Sequence, residues 1–560
     1  NIYINIDIFT FSCILKKTYK MAKRENSQKS SDYKKTSDQQ PRSASLGLIL
    51  GILSVVTLLL CLLSRFYFLD EPMSRDEGAY AYLGKMAVMG KAPYVDFYEM
   101  KPPLLYYLYG LGGLIFGTGD TGLRLFALIL IIISGSLIFW IVKRIYSATT
   151  GLLSAAVFSF LSLNLYTMGF TMVAEHLVNV FILASILVGF RMQTKQKEYG
   201  WALSGLLLGI AILVKQIALV FVPIALFLIL NAELKTKQYR IKSVLFYGCG
   251  MAFMISIVLV VTGLIGDFNE MSYWLMEYPS QYTSSVDNKE GMFYLKQFLS
   301  RILAFSPMVF AMITISVLLS LSDFKTTTVK WLWLYLACGL LSLIPGFRFY
   351  GQYWILLMPV LAIFLANGVV FLQKKGSVAG ILFGSIVCVL IFMELGFNQN
   401  YYFSSGLSRP ITKLYRNNPF EAIREMSFYL KSKMTDKDKL LVLGSEPQVY
   451  LYSGKNAPLP HVYSALLMRN NPKNVESREE IMKYLQQERP NYVFFNLFPF
   501  SWMIQDGDDD ALYRQSFVYM VNNYEVIASY DIAANQYKYA DQGQTSDAYK
   551  ANQLLVFKRR

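Results

Sequence analysis

What most limits the folds open to this chain is a succession of apolar runs, each bounded by polar or basic residues. A bilayer's hydrocarbon core takes about 20 apolar residues per helix. Runs of that kind lie near 46–69, 122–142, 151–170, 176–190, 201–214, 217–231, 244–265, 302–321, 331–345, 354–373 and 377–396. They predict a polytopic α-helical membrane protein with about eleven transmembrane helices. Composition agrees. Of 560 residues, 54% are hydrophobic and 16% charged, against ~25% charged in soluble domains. A disordered chain, a fibrous one and an ordinary cytosolic enzyme are excluded.

The net charge of +15 sits mostly in the N-terminal tail and in short loops, where it acts as a topology signal. It does not mark a nucleic-acid surface. Residues 1–20 read as upstream sequence, with Met21 as the expected start. Residues 1–45 as a whole are expected to be a disordered basic tail on the cytoplasmic side. The basic loops 143–144, 191–197, 235–242, 325–330 and 374–375 then also fall inside. That placement forces 151–190, 201–231 and 331–373 each to cross twice. Glu175, Lys215 and Arg348 are thereby put at outer turns, and residues 398–560 outside. The expected location is the cell (inner or plasma) membrane. The five Cys are scattered through the tail and the apolar runs, so no disulfide framework is implied.

Two outer loops are long, 70–121 and 266–301. In the first, Ser74 is a candidate N-cap for a helix over 75–89 lying on the membrane surface, with Asp76 and Glu77 in its first turn. Gly90 ends it. Pro102 and Pro103 lead into a second helix, with Lys101 at its N-terminus. A cation beside unpaired backbone N–H groups favours an anion such as phosphate. Ionisable side chains at membrane depth are functional candidates, and here several gather on one face.

The motif R-D-E-G-x-Y at 75–80, followed by G-K-x-P-Y and E-M-K-P-P-L-L-Y-Y-L, resembles the lipid-linked-sugar glycosyltransferases of the GT-C fold. These include protein O-mannosyltransferases and the aminoarabinose transferase of lipid A. L-V-K-Q-I-A-L around Lys215 and R-F-Y-G-Q-Y-W-I-L-L-M-P at 348–359 are similar to the same family. The resemblance covers about 46–400. It implies transfer of a sugar from a polyprenyl-phosphate donor to a hydroxyl of a protein, a lipid such as lipid A or a cell-envelope glycan, on the outer face and with inversion. Asp76 would be the catalytic carboxylate with Glu77 assisting it, and Glu175 would be the second catalytic acid, near the sugar or acceptor. Lys101, Lys215 and Arg348 would hold the donor phosphate. Arg75, Tyr80, Tyr98, Glu99 and Tyr350 would contact substrate. No cofactor is demanded, although a divalent cation, Mg²⁺ or Mn²⁺, bridging phosphate and Asp76 is compatible.

Trp274, Tyr278, Tyr282 and Tyr294 of the second outer loop are expected to anchor at the membrane interface, the alternative being to stack on a sugar or cover the donor. Residues 398–560 read as a soluble extracytoplasmic α/β domain with helices over 419–434 and 476–488. Strands are expected at 440–443, 492–496, 524–530 and 554–558. The acidic run 506–510 reads as a solvated loop, and His176 beside Glu175 as structural. The domain expectation is thus a tail (1–45), a transmembrane catalytic part (46–397) and this C-terminal part. The alternative to a transferase is a transporter or flippase of lipid-linked or small solutes. Transporters bind near the midplane between repeated halves, and no repeat is visible here. A ligand-binding receptor would leave the acidic first loop unexplained.

Overall fold

The computed structural model describes residues 40–195, 197–232, 236–283, 286–404, 418–505, 507–543, 549 and 551–560. Most of the basic tail, Gln196 and Lys235 of the basic loops, and Asp506 lie outside the described residues. Asn1–Ile49 and Leu50–Arg560 are two compact units. The second holds the helix bundle, the charged turns at its end and the C-terminal sheet.

Among the described residues, six helices are long and apolar enough to cross a membrane. Within the second unit they are Asp120–Ile145, Ala174–Thr194, Lys237–Ile265, Gly351–Lys375 and Ser377–Phe397; the other, Ser45–Phe68, begins before it. The runs at 151–170, 201–214, 217–231 and 331–345 form shorter apolar helices, as does Leu104–Phe116. The expected span at 302–321 is broken. Pro307 opens a new helix, and Asn288–Phe305 meets Pro307–Asp323 at 104°. Proline lacks the N–H that would continue the first helix, so 302–305 belong to the amphipathic helix that precedes it.

The helix Arg75–Val88 forms as expected, with Ser74 and Glu77 as a capping box and Gly90 at φ +87° beyond its end. It does not lie open on a membrane surface. Residues Glu77–Gly84 are all buried. One side packs on Leu104–Phe116, the other on the short helix Gln448–Ser453, where Tyr82 stacks on Tyr450 at 5.5 Å. The covering layer comes from hundreds of residues away, so the local pattern carries no sign of it. The crossing with Leu104–Phe116 is close: a Cβ on Gly84 would stand 2.6 Å from the Gly110 backbone nitrogen. Gly84→Ala is therefore expected to cost about 1–3 kcal/mol by overpacking, read as a lower thermal midpoint of the purified protein.

The C-terminal segment builds a five-stranded sheet. Its strands are β1 (Leu440–Leu443), β2 (Tyr492–Asn496), β3 (Tyr524–Asp531), β4 (Gln536–Tyr539) and β5 (Gln553–Arg559), in the order β1-β2-β5-β3-β4. β1 and β2 are parallel; the other pairings are antiparallel. β1 and β2 are buried along their whole length, which explains their unbroken apolar sequence. The helices Phe420–Lys433 and Pro472–Gln487 match expectation, whereas Ala511–Asn523 and β4 go beyond it. The acids after residue 507 do not form a solvated loop. Asp508 pairs with Arg469, Asp509 with Arg478 and Asp510 with Arg514.

Candidate active site

Short turns at one end of the helix bundle bring the charged residues together. Lys215 lies between Trp201–Val214 and the 3-10 turn Gln216–Phe221. Its ammonium donates to the buried Glu175 carboxylate and stands 4.2 Å from the Tyr353 ring centre. The next residue, Gln216, donates to the Met100 carbonyl at 3.2 Å, which ties this turn to the one carrying Lys101. Lys101 reaches Glu99 at 3.4 Å, and its backbone N–H donates to the same carboxylate at 2.7 Å. Tyr106 also donates to Glu99, at 2.8 Å. Arg348, buried, lies 4.6 Å over the Tyr282 ring. The Tyr282 and Tyr350 hydroxyls are 3.5 Å apart, and Tyr350 meets Tyr353 edge-on at 5.8 Å. Tyr353, half-buried, is the hub: Lys101, Glu175 and Asp76 are all within electrostatic reach of its phenol.

The two adjacent acids of the first loop have different surroundings. Asp76 is half-buried and makes no hydrogen bond or ion pair among the described residues. Its charge acts on the phenols of Tyr80, Tyr109, Tyr353 and Tyr463. Glu77 is fully buried and saturated. It pairs with Arg124, accepts the Met172 N–H at 2.7 Å and accepts the Ser74 N–H at 3.2 Å. Arg124 also donates to the Glu71 and Pro72 carbonyls. Glu77 therefore ties three chain segments together behind Asp76.

The turn leading to Glu175 is held in the same way. Arg65 donates to the Gly169 carbonyl at 3.0 Å and to Ser162 Oγ at 2.6 Å. His176 Nε2 sits 3.0 Å from the same Gly169 carbonyl, the structural placement expected for it. Arg75 pairs with Glu446 of the C-terminal segment at 3.1 Å. Tyr80 is buried edge-on to Tyr109. Tyr98 stacks on Trp274 at 5.3 Å and lies 5.0 Å from the His461 ring. Trp274 and Tyr278 are not interface anchors. Both are buried, and Tyr278 donates to the Leu466 carbonyl.

No group of three or more His, Cys, Asp or Glu side chains that could hold a metal gathers among the described residues. Glu99 and Glu175 already have lysine partners.

Residues 100–263 match the family model described as dolichyl-phosphate-mannose-protein mannosyltransferase. That stretch contains Lys101, Glu175 and Lys215. Over 183 residues the chain is 27% identical to the undecaprenyl phosphate-alpha-4-amino-4-deoxy-L-arabinose arabinosyl transferase of Erwinia tasmaniensis, covering 31% of this chain and 32% of that protein. It is 31% identical over 169 residues to an uncharacterized protein of Aquifex aeolicus, covering 28% and 31%. The matched stretch thus spans about a third of these relatives. The fold likeness is far longer. ArnT from Cupriavidus metallidurans in the apo state superposes with a TM-score of 0.56 at 11% identity, over 92% of this chain and 98% of that one. The Archaeoglobus fulgidus oligosaccharyltransferase in the apo form superposes with a TM-score of 0.50 at 9% identity, over 93% and 76%. Residues 100–263 therefore match a mannosyltransferase family model, in a chain with the GT-C fold.

Proposed function

We propose that this protein moves a sugar from a polyprenyl-phosphate donor to a hydroxyl of a protein, lipid or cell-envelope glycan, at the outer face of the membrane. The observation that carries this reading is the gathering of Lys101, Lys215 and Arg348, from three separate turns, around the adjoining tyrosines Tyr353, Tyr350 and Tyr282, of which Tyr353 is also within electrostatic reach of Asp76. That is the charge pattern phosphate departure requires. Cations stabilise the negative charge that grows on the leaving group, and a carboxylate takes the proton of the attacking hydroxyl. The family match and the ArnT fold support the donor class. ArnT from Cupriavidus metallidurans is known bound to undecaprenyl phosphate, in a structure that superposes on this chain with a TM-score of 0.54 at 12% identity.

In the proposed step the acceptor O–H proton passes to Asp76. The acceptor oxygen bonds to the anomeric carbon, and the bond from that carbon to the phosphate oxygen breaks. Its electron pair leaves with the polyprenyl phosphate, and in-line attack inverts the anomeric centre. Glu175 keeps Lys215 extended toward the donor, and Glu77 fixes the helix that carries Asp76.

Lys215→Met tests the phosphate role. Losing one charge-assisted contact is worth ~1.5–3 kcal/mol, so donor KM is expected to rise by roughly ten- to a hundredfold, with a smaller change in kcat. A KM unchanged from wild type in steady-state transfer would remove Lys215 from the donor site.

A further inference from the structure

The C-terminal segment reaches the first turn of the helix that carries Asp76. β1 ends at Leu443, and the chain turns at Gly444, φ +138°. A Cβ there would collide with Glu446 Oε2, so glycine is needed on both counts. The turn delivers Glu446, which is completely buried. A buried carboxylate must be paired. One oxygen takes Arg75 Nη2 at 3.1 Å, and the other accepts from Ser501 Oγ at 2.7 Å. Ser501 Oγ in turn accepts the Ser445 N–H at 2.8 Å. The next strap is fastened to the same turn: Gly444 N–H donates to Ser464 Oγ, and Ala465 N–H donates to Ser445 Oγ. Between these points stands Tyr463, buried, with Asp76, Glu99, Arg75 and Glu446 all acting on its phenol. Burial first, then the carboxylates of Asp76 and Glu99, keep that phenol protonated well above its ordinary range.

Arg75 immediately precedes Asp76. A guanidinium with no other carboxylate would be drawn to that neighbour and would weaken it as a base. In the structure it is committed to Glu446 instead, with Asn418 as a second, longer contact. We propose that Glu446 is a positioning residue for transfer: it draws Arg75 onto the C-terminal layer and so leaves the Asp76 carboxylate available to the acceptor hydroxyl. The C-terminal segment thereby contributes to the site as well as packing on the helix that carries Asp76. The inference rests on the transferase reading.

The test is the pH dependence of kcat for wild type, Glu446→Gln, Arg75→Gln and the double variant, with thermal unfolding recorded for each. The charged and titratable groups around Asp76 are Arg75, Glu77 and Tyr80 on its own helix, Tyr109 on the next, Glu99 with Lys101 before it, and Glu175 at the start of Ala174–Thr194. Tyr353 stands beyond Arg348, and Tyr463 and Glu446 come from the C-terminal segment. None of these except the mutated pair changes. Glu446→Gln releases Arg75 onto Asp76. The acidic limb is then expected to move down by about one pH unit and kcat at neutral pH to fall about tenfold, with donor KM unchanged. The double variant has no guanidinium to redirect, and its limb returns to the wild-type position. Arg75→Gln alone gives a second readout should Glu446→Gln fold poorly, since its limb must not move down. A fixed limb in Glu446→Gln, or a downward shift in either variant lacking Arg75, overturns the proposal. Absence of transfer by wild type in the same assay counts against the transferase reading instead.

Discussion

Asp76→Asn is expected to abolish sugar transfer and to leave the protein folded and able to bind its donor. A positioned general base contributes ~10²–10⁴-fold, and the amide cannot take the acceptor proton, so the single-turnover rate should fall by that factor. Stability should barely change. The carboxylate is half-buried and makes no hydrogen bond or ion pair among the described residues, so the near-isosteric amide removes no partner. Substitutions away from cores, caps and ion pairs usually stay within about 0.5 kcal/mol. A variant that keeps its thermal midpoint and its donor affinity but transfers nothing separates chemistry from folding. A variant that transfers at the wild-type rate removes Asp76 from the reaction.

Arg124→Met has a large effect of the opposite kind. Glu77 and Arg124 are both buried, and the substitution strands the Glu77 carboxylate. Removing one partner of a buried pair costs about 3–5 kcal/mol, a large part of the ~5–15 kcal/mol that holds a typical domain together. Arg124 also satisfies the Glu71 and Pro72 carbonyls, so the approach to the Asp76 helix loosens as well. Thermal unfolding in detergent should show a marked drop. Replacing both residues by Met should recover part of it, because an apolar pair often substitutes for a buried ion pair. Recovery stays incomplete, since the Met172 and Ser74 N–H groups lose their acceptor. Equal stability of Arg124→Met and wild type would contradict the assignment of Glu77 as a positioning residue.

Much of the architecture is written in local pattern. Apolar runs give the helices, and the strands at 440–443 and 492–496 stand out because strands buried on both faces read as continuous apolar stretches. The break at Ser306–Pro307 escapes that pattern because hydropathy alone does not register a proline at a helix start. The candidate site is legible as a set of charges at turns. Asp76, Lys101, Glu175, Lys215 and Arg348 are conspicuous because charge near a bilayer is costly. Their partners are not legible. Arg124 pairs with Glu77 from inside the next long helix; a lone arginine in an apolar run is the available signal. Tyr353 lies inside the motif at 348–359, yet its position between Lys215 and Tyr350 arises only on folding. Glu446 and Tyr463 come from a segment whose own sequence speaks only of an α/β sheet. The same distance hides the burial of Trp274 and Tyr278, which local pattern assigns to the membrane interface.

The most direct test is single-turnover transfer by purified wild-type protein in detergent, given radiolabelled polyprenyl-phosphate sugars and membrane extract. The expected result is label moving from the donor onto a new acceptor, with unlabelled polyprenyl phosphate released in equal amount. The contradicting result is donor that binds the folded protein yet keeps its sugar in every mixture, while liposomes containing the protein pass the intact donor or another solute across the membrane.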